Sequence, residues 1–155
     1  MKPTLNLVGL PAGLLSAFFF LMVGGSSVKA SDAKFEVQLI WATNDKKCSD
    51  PKLKPVDAEV QRKLAELPLK WESYFAVNRQ EVAVAKGGTN SVTMSEKCVV
   101  EVRRLADKKI EVSLHGDKGN ICYKRTQPLP KGEILVLGGN APNATAWLVT
   151  MKRIE

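Results

Sequence analysis

Beyond Pro68 the chain is cut into short runs of alternating apolar and polar residues, and a turn signal closes each run within about 8 to 14 residues. Side chains of a strand point alternately to its two faces, so each run offers one dry face and one wet face. Such strands, joined by tight turns, are buried economically only as antiparallel sheets laid on a shared core. Strand candidates lie at residues 71–77 and 81–85, before a turn at Lys86-Gly87-Gly88-Thr89-Asn90. Residues 98–104 and 110–114 form a hairpin across Ala106-Asp107-Lys108, and further strands follow at 121–126, 133–137 and 146–154. Gly138-Gly139-Asn140-Ala141-Pro142-Asn143 reads as another turn.

Ahead of this region Phe35, Val37, Leu39 and Trp41 alternate with Glu36 and Gln38, which is again a strand. Asp57 can cap a helix reaching Leu67, with Val60, Leu64 and Leu67 on one stripe and Pro68 as its stop. Glu59–Lys63 and Arg62–Glu66 would pair along its wet side. The stripe is narrow, so this helix needs a sheet to lie on. The expected fold is mainly β within an α+β class: an antiparallel sandwich or open barrel-like meander with one short helix packed on it.

The first thirty residues differ from the rest. They carry two charges, Lys2 and Lys29, and no acid, around an apolar run from Leu5 to Val23 that Asn6 and Pro11 interrupt. A basic tip, an apolar stretch and the small-residue exit Val28-Lys29-Ala30 are the parts of a secretory signal peptide cut before Ser31. At about 19 residues the run is also near the length that spans a bilayer, so a retained anchor helix is the competing reading. The chain is thus expected to comprise a leader at 1–30 and a single β-rich domain at 31–155. Its product would be exported to a periplasmic or extracellular space, with membrane contact only through 1–30 if these stay attached.

The domain at 31–155 holds 21 Lys+Arg against 16 Asp+Glu. Lys46, Lys47, Lys52 and Lys54 gather in one loop, and Arg103, Arg104, Lys108 and Lys109 flank one hairpin. Nucleic acid would require such charge on one face together with stacking aromatics. Most of Phe35, Trp41, Trp71, Tyr74, Phe75, Tyr123 and Trp147 instead fall on apolar phases and read as core, so no nucleic-acid partner is expected. An envelope protein or an anionic envelope polymer suits an exported basic domain better. The contact regions expected for it are the loop bearing Lys46, Lys47, Lys52 and Lys54 and the turn bearing Gly138, Gly139 and Asn140.

Chemistry-bearing motifs are sparse. His115 is the sole histidine and shares the polar phase of its strand with Glu111 and Ser113, where a solvated side chain is expected. Same-face neighbours on a strand stand about 6–7 Å apart, too far for a nucleophile and its base. Lys86-Gly87-Gly88-Thr89 and Gly138-Gly139-Asn140 lack the spacing and following helix of a phosphate loop, and both read as turns. No catalytic residue, cofactor or metal site is assigned. A small secreted hydrolase remains the alternative if polar groups converge around His115 or among Asp107, Glu111 and Asp117; a membrane-tethered structural protein is the other. Lys109 and Lys124 suit strands that guard a sheet edge. Asn143-Ala144-Thr145 fits the glycosylation acceptor pattern.

Cys48, Cys98 and Cys122 permit one disulfide and a free thiol, or none, and the pairing is open. Cys98 runs in phase with Val100 and Val102, whereas Cys122 alternates out of phase with Ile121 and Tyr123, which argues against a Cys98–Cys122 bridge within one sheet.

Lys131-Gly132-Glu133-Ile134-Leu135-Val136-Leu137-Gly138-Gly139 resembles the Gly-x-x-hydrophobic-Gly-Gly strand of secretin-type outer-membrane pore proteins. More broadly, residues 67–151 resemble small exported bacterial β-domains in which a Trp/Tyr/Phe strand leads into a meander that ends in this Gly-Gly turn. The resemblance implies an envelope-associated accessory domain and carries over no catalytic residues. The function expected is that of a non-catalytic exported binding or structural module.

Overall fold

The structure is a computed structural model that describes residues 32–48, 50–141 and 144–155. Within them lie β1 (Ala33–Thr43), β2 (Lys54–Pro55), α1 (Ala58–Ala65), β3 (Ser73–Val84), β4 (Thr89–Ser95), β5 (Cys98–Arg104), β6 (Lys109–His115), β7 (Ile121–Pro128), β8 (Ile134–Asn140) and β9 (Ala146–Arg153). The leader and its cut before Ser31, and the acceptor Asn143, lie outside the described residues. No described helix is long and apolar enough to cross a membrane.

The strands form two antiparallel sheets, β2-β3-β1-β9-β8 and β4-β5-β6-β7. The odd residues of β1 explain their packing: Ala33, Phe35, Val37 and Leu39 all turn inward and are at most 3% exposed. They meet Val100, Val102, Ile110 and Val112 of the four-stranded sheet, with Val82, Val149 and Met151 beside them. Leu129, on the passage from β7 back to β8, is 1% exposed and closes this core. The even residues Ile40 and Ala42 face the other way, where Val60 and Leu64 of α1 cover them together with Leu148 and Tyr74. The result is a sandwich-like pair of sheets with one helix on the outer face of the larger.

The sequence breaks β3 into two short strands, but the structure has one. Leu39 pairs with Asn78 and Ile40 with Ala76, so Val77 is an extra residue bulged out of the ladder. Before it Tyr74 and Ala76 face the helix; after it Val82 and Val84 face the core. The phase flip is why a period-2 reading loses the strand at this point. β4 is a second difference, since residues 91–95 carry no strand assignment from the sequence. It is an edge strand made of Ser and Thr around Val92 and the buried Met94. β3 and β4 are stitched together by side chains rather than a ladder: Asn78 Nδ2 donates to Met94 O at 2.8 Å and Asn90 Nδ2 to Ala83 O at 2.9 Å. The β5–β6 hairpin turns at Asp107 and Lys108, both with φ of 61°, as a two-residue loop of matching twist requires. Lys124 does sit on an edge strand, β7, but Lys109 lies on β6, which is paired on both sides.

Asp57 caps α1 through its Oδ1, which accepts from the Val60 N–H at 2.9 Å. The helical pairs expected from spacing are replaced: Glu59 meets Lys152 of β9 at 2.6 Å, and Lys63 meets Glu66 at 3.6 Å. The Val60 N–H, then the Gln38 amide and the Arg79 guanidinium, hold the Asp57 carboxyl below its ordinary range. A carboxyl lowered in the folded state stabilises above its unfolded pKa, and that contribution fades as pH falls through the lowered value. Asp57→Ala is therefore expected to cost about 1 kcal/mol near neutral pH. The gap from wild type should narrow below the ordinary carboxylate range, a difference that thermal melts at pH 7 and pH 3 would read.

Candidate functional site

The two sheets do not cover each other fully. Past Leu39 and the Val77 bulge the larger sheet runs on, and a cavity of about 680 Å³ opens between it and the end of the smaller sheet. Its walls are Leu39, Val77 and Val149 on one side and Leu114, Cys98, Cys122 and Tyr123 on the other. The β4–β5 turn contributes Ser95, Glu96 and Lys97, while β8 and β9 contribute Gly138, Gly139 and Trp147. This volume falls in the range of small-molecule pockets, and such pockets are mostly apolar with a few convergent polar groups.

Register explains the exposed aromatics. Phe75 pairs with Trp41, Trp41 with Trp147, and Trp147 with Gly139, so one row crosses β3, β1, β9 and β8. Trp41 and Phe75 meet at a tilt of 38° with ring centroids 6.2 Å apart. The row ends on Trp147, 47% exposed, and on Gly139, where an added Cβ would meet nothing within 4 Å. Gly138 is glycine for the opposite reason, since a Cβ there would run into the Leu148 side chain and crowd Trp147 O. The Gly138-Gly139-Asn140 segment is thus not a turn but the end of β8, paired with Leu148, Trp147 and Ala146. Gly87, by contrast, has φ of +72° and is a turn glycine as expected.

Ile121, Tyr123 and Trp147 are the exposed large apolar side chains among the described residues, and Tyr123 and Trp147 line the cavity. The alternation correctly puts Trp147 on the inner face, but it cannot show that the opposing sheet stops short. The neighbouring Gly-Gly pair, in a strand where glycine is otherwise unfavourable, was the available signal.

His115 is not the solvated residue its phase suggests. Its side chain is 21% exposed and lines the cavity. Nδ1 lies 3.3 Å from Gly119 O, and a carbonyl only accepts, so Nδ1 carries the hydrogen. Nε2 is buried without a hydrogen-bond partner, with Glu101 Oε1 4.0 Å away. The polar groups that the sequence offers beside it do not line the cavity with it. Glu111 pairs with Lys124 at 3.1 Å on the outer face, Ser113 is 3% exposed, and Asp107 and Asp117 are exposed in turns. Among the described residues no three His, Cys, Asp or Glu side chains cluster as metal ligands would.

The remaining candidates scatter. Lys46, Lys47, Lys52 and Lys54 are exposed around the loop after β1 and none lines the cavity. Cys48 in the same loop is a half-buried free thiol. Cys98 packs against the core as its phase predicts, whereas Cys122 joins it in the cavity wall, contrary to the parity argument. Leu114 pairs with Tyr123 but His115 with Ile121, so Cys122 is a bulged extra residue and parity across it fails. Compared with known proteins, the chain matches no family model, no curated sequence and no solved structure. The likeness of residues 131–139 to a secretin strand therefore stays with those nine residues.

Proposed function

We propose that the domain is a non-catalytic binding module of an exported, envelope-associated protein, and that it takes the aliphatic part of an anionic amphiphile into the cavity between its sheets. The observation that carries this reading is the cavity wall itself. Leu39, Val77, Leu114 and Val149 line it, and Tyr123 and Trp147 stand exposed at its margin. Exposed apolar surface costs free energy in water, so a clustered patch marks a place where something else supplies the cover. At the mouth Lys97 on the β4–β5 turn stands beside Glu96, and it is the basic balance of the whole domain that favours an anionic head. Export and envelope association rest on the leader-like residues 1–30 and the basic domain.

Titration with sodium dodecyl phosphate below its micellar concentration, read by calorimetry, tests the reading. Saturable one-to-one binding is expected, with a negative heat-capacity change from apolar burial. Trp147→Ala should weaken it about tenfold, the value of losing part of an aromatic contact, while leaving the thermal midpoint nearly unchanged because Trp147 is half exposed. Absence of saturable binding, or equal binding by the variant, would contradict it.

A further inference from the structure

The cavity wall holds two thiols whose relation the strand register fixes. Val99 of β5 pairs with His115 of β6, so the next position outward sets Cys98 opposite Gly116. On the other side of β6, Gly116 N donates to Asn120 O at 2.8 Å, keeping the β6–β7 end closed. Cys122, the bulged residue of β7, folds its side chain back over this glycine, with Sγ 3.6 Å from Asn120 O. A Cβ built on Gly116 would clash with Cys122 Sγ. The sulfur of Cys122 thus fills space that a side chain at Gly116 would need, beside the position across from Cys98, where opposite Cβ atoms stand about 4.5–5.5 Å apart. Burial, and then the neighbouring Cys122, push the Cys98 thiol up.

We propose that Cys98 and Cys122 form a redox pair that closes to an intrachain disulfide across Gly116, leaving Cys48 as the odd thiol. The oxidant is a small-molecule disulfide. A protein thiolate attacks one of its sulfurs and releases a thiolate, and the second protein thiol then displaces the other half of the oxidant. The protein loses two electrons and two protons, and one small disulfide becomes two small thiols. Gly116 makes this feasible: any larger residue would hold the Cys122 sulfur away. The bridge ties β7 to β5 through the wall of the cavity. This inference rests on register and the Gly116 contact and is independent of what the cavity binds.

The test is incubation of the purified domain with oxidised glutathione, followed by maleimide counting of thiols, peptide mapping and thermal melting. Of the three free thiols, one should remain, with the Cys98 and Cys122 peptides linked and the mass lower by two hydrogens. Closing this loop should raise Tm by roughly 10 °C. Cys48→Ser should keep both the bridge and the shift. Cys122→Ser, at an exposed position, should abolish both while folding normally in the untreated control. Linkage of Cys48 to either partner, separate glutathione adducts on Cys98 and Cys122, or three persisting thiols would each overturn the proposal.

Discussion

Phe35→Ala is expected to lower the stability of the domain by about 4 kcal/mol, the usual cost of emptying a phenylalanine site that cannot collapse. Phe35 is 0% exposed and sits at the middle of the larger sheet, paired with Val82 of β3 and Arg153 of β9. Its ring meets the inner face of the smaller sheet, so its loss unseats both layers at once. Urea unfolding should show the midpoint falling with an unchanged slope, and Tm should drop by roughly 15 °C. A loss under 1 kcal/mol would mean that the two sheets do not share this core.

Leu64→Ala carries the second large effect, about 3 kcal/mol. Leu64 is 1% exposed and, with Val60, is the anchor of α1 on Ile40, Ala42 and Leu148. A helix this short holds no stable structure alone in water, so the contact maintains it rather than decorates it. Far-ultraviolet circular dichroism of the variant should lose helical signal before strand signal on warming. Simultaneous loss of both at an unchanged midpoint would show that the helix does not depend on this side chain.

Much of the fold was legible because its strands obey the period-2 rule where both faces have a fixed environment. β1, β5 and β6 stand where the alternation places them, and α1 starts at the Asp57 cap but ends at Ala65, so Leu67 falls outside it rather than on its buried stripe. The rule fails where an extra residue resets the phase. Val77 hid the continuity of β3, and Cys122 hid the approach of the two thiols. It also fails at β8, where Gly138 and Gly139 look like a turn but serve a close approach and an open shelf. The site was less legible than the fold. Inward phase marks Trp147 and Tyr123 for the core, yet Trp147 stays 47% exposed and Tyr123, on the edge strand β7, 37%. That exposure is a tertiary property that no local window contains.

Backbone amide mapping by NMR measures the central claim most directly. On adding sodium dodecyl phosphate to the labelled domain, shifts should concentrate at Val77, Leu114, Tyr123, Gly139 and Trp147, with the Lys46 and Lys47 loop unmoved. Shifts confined to that basic loop, or spread evenly over exposed lysines, would show that charge alone recruits the amphiphile and that the space between the sheets is not its site.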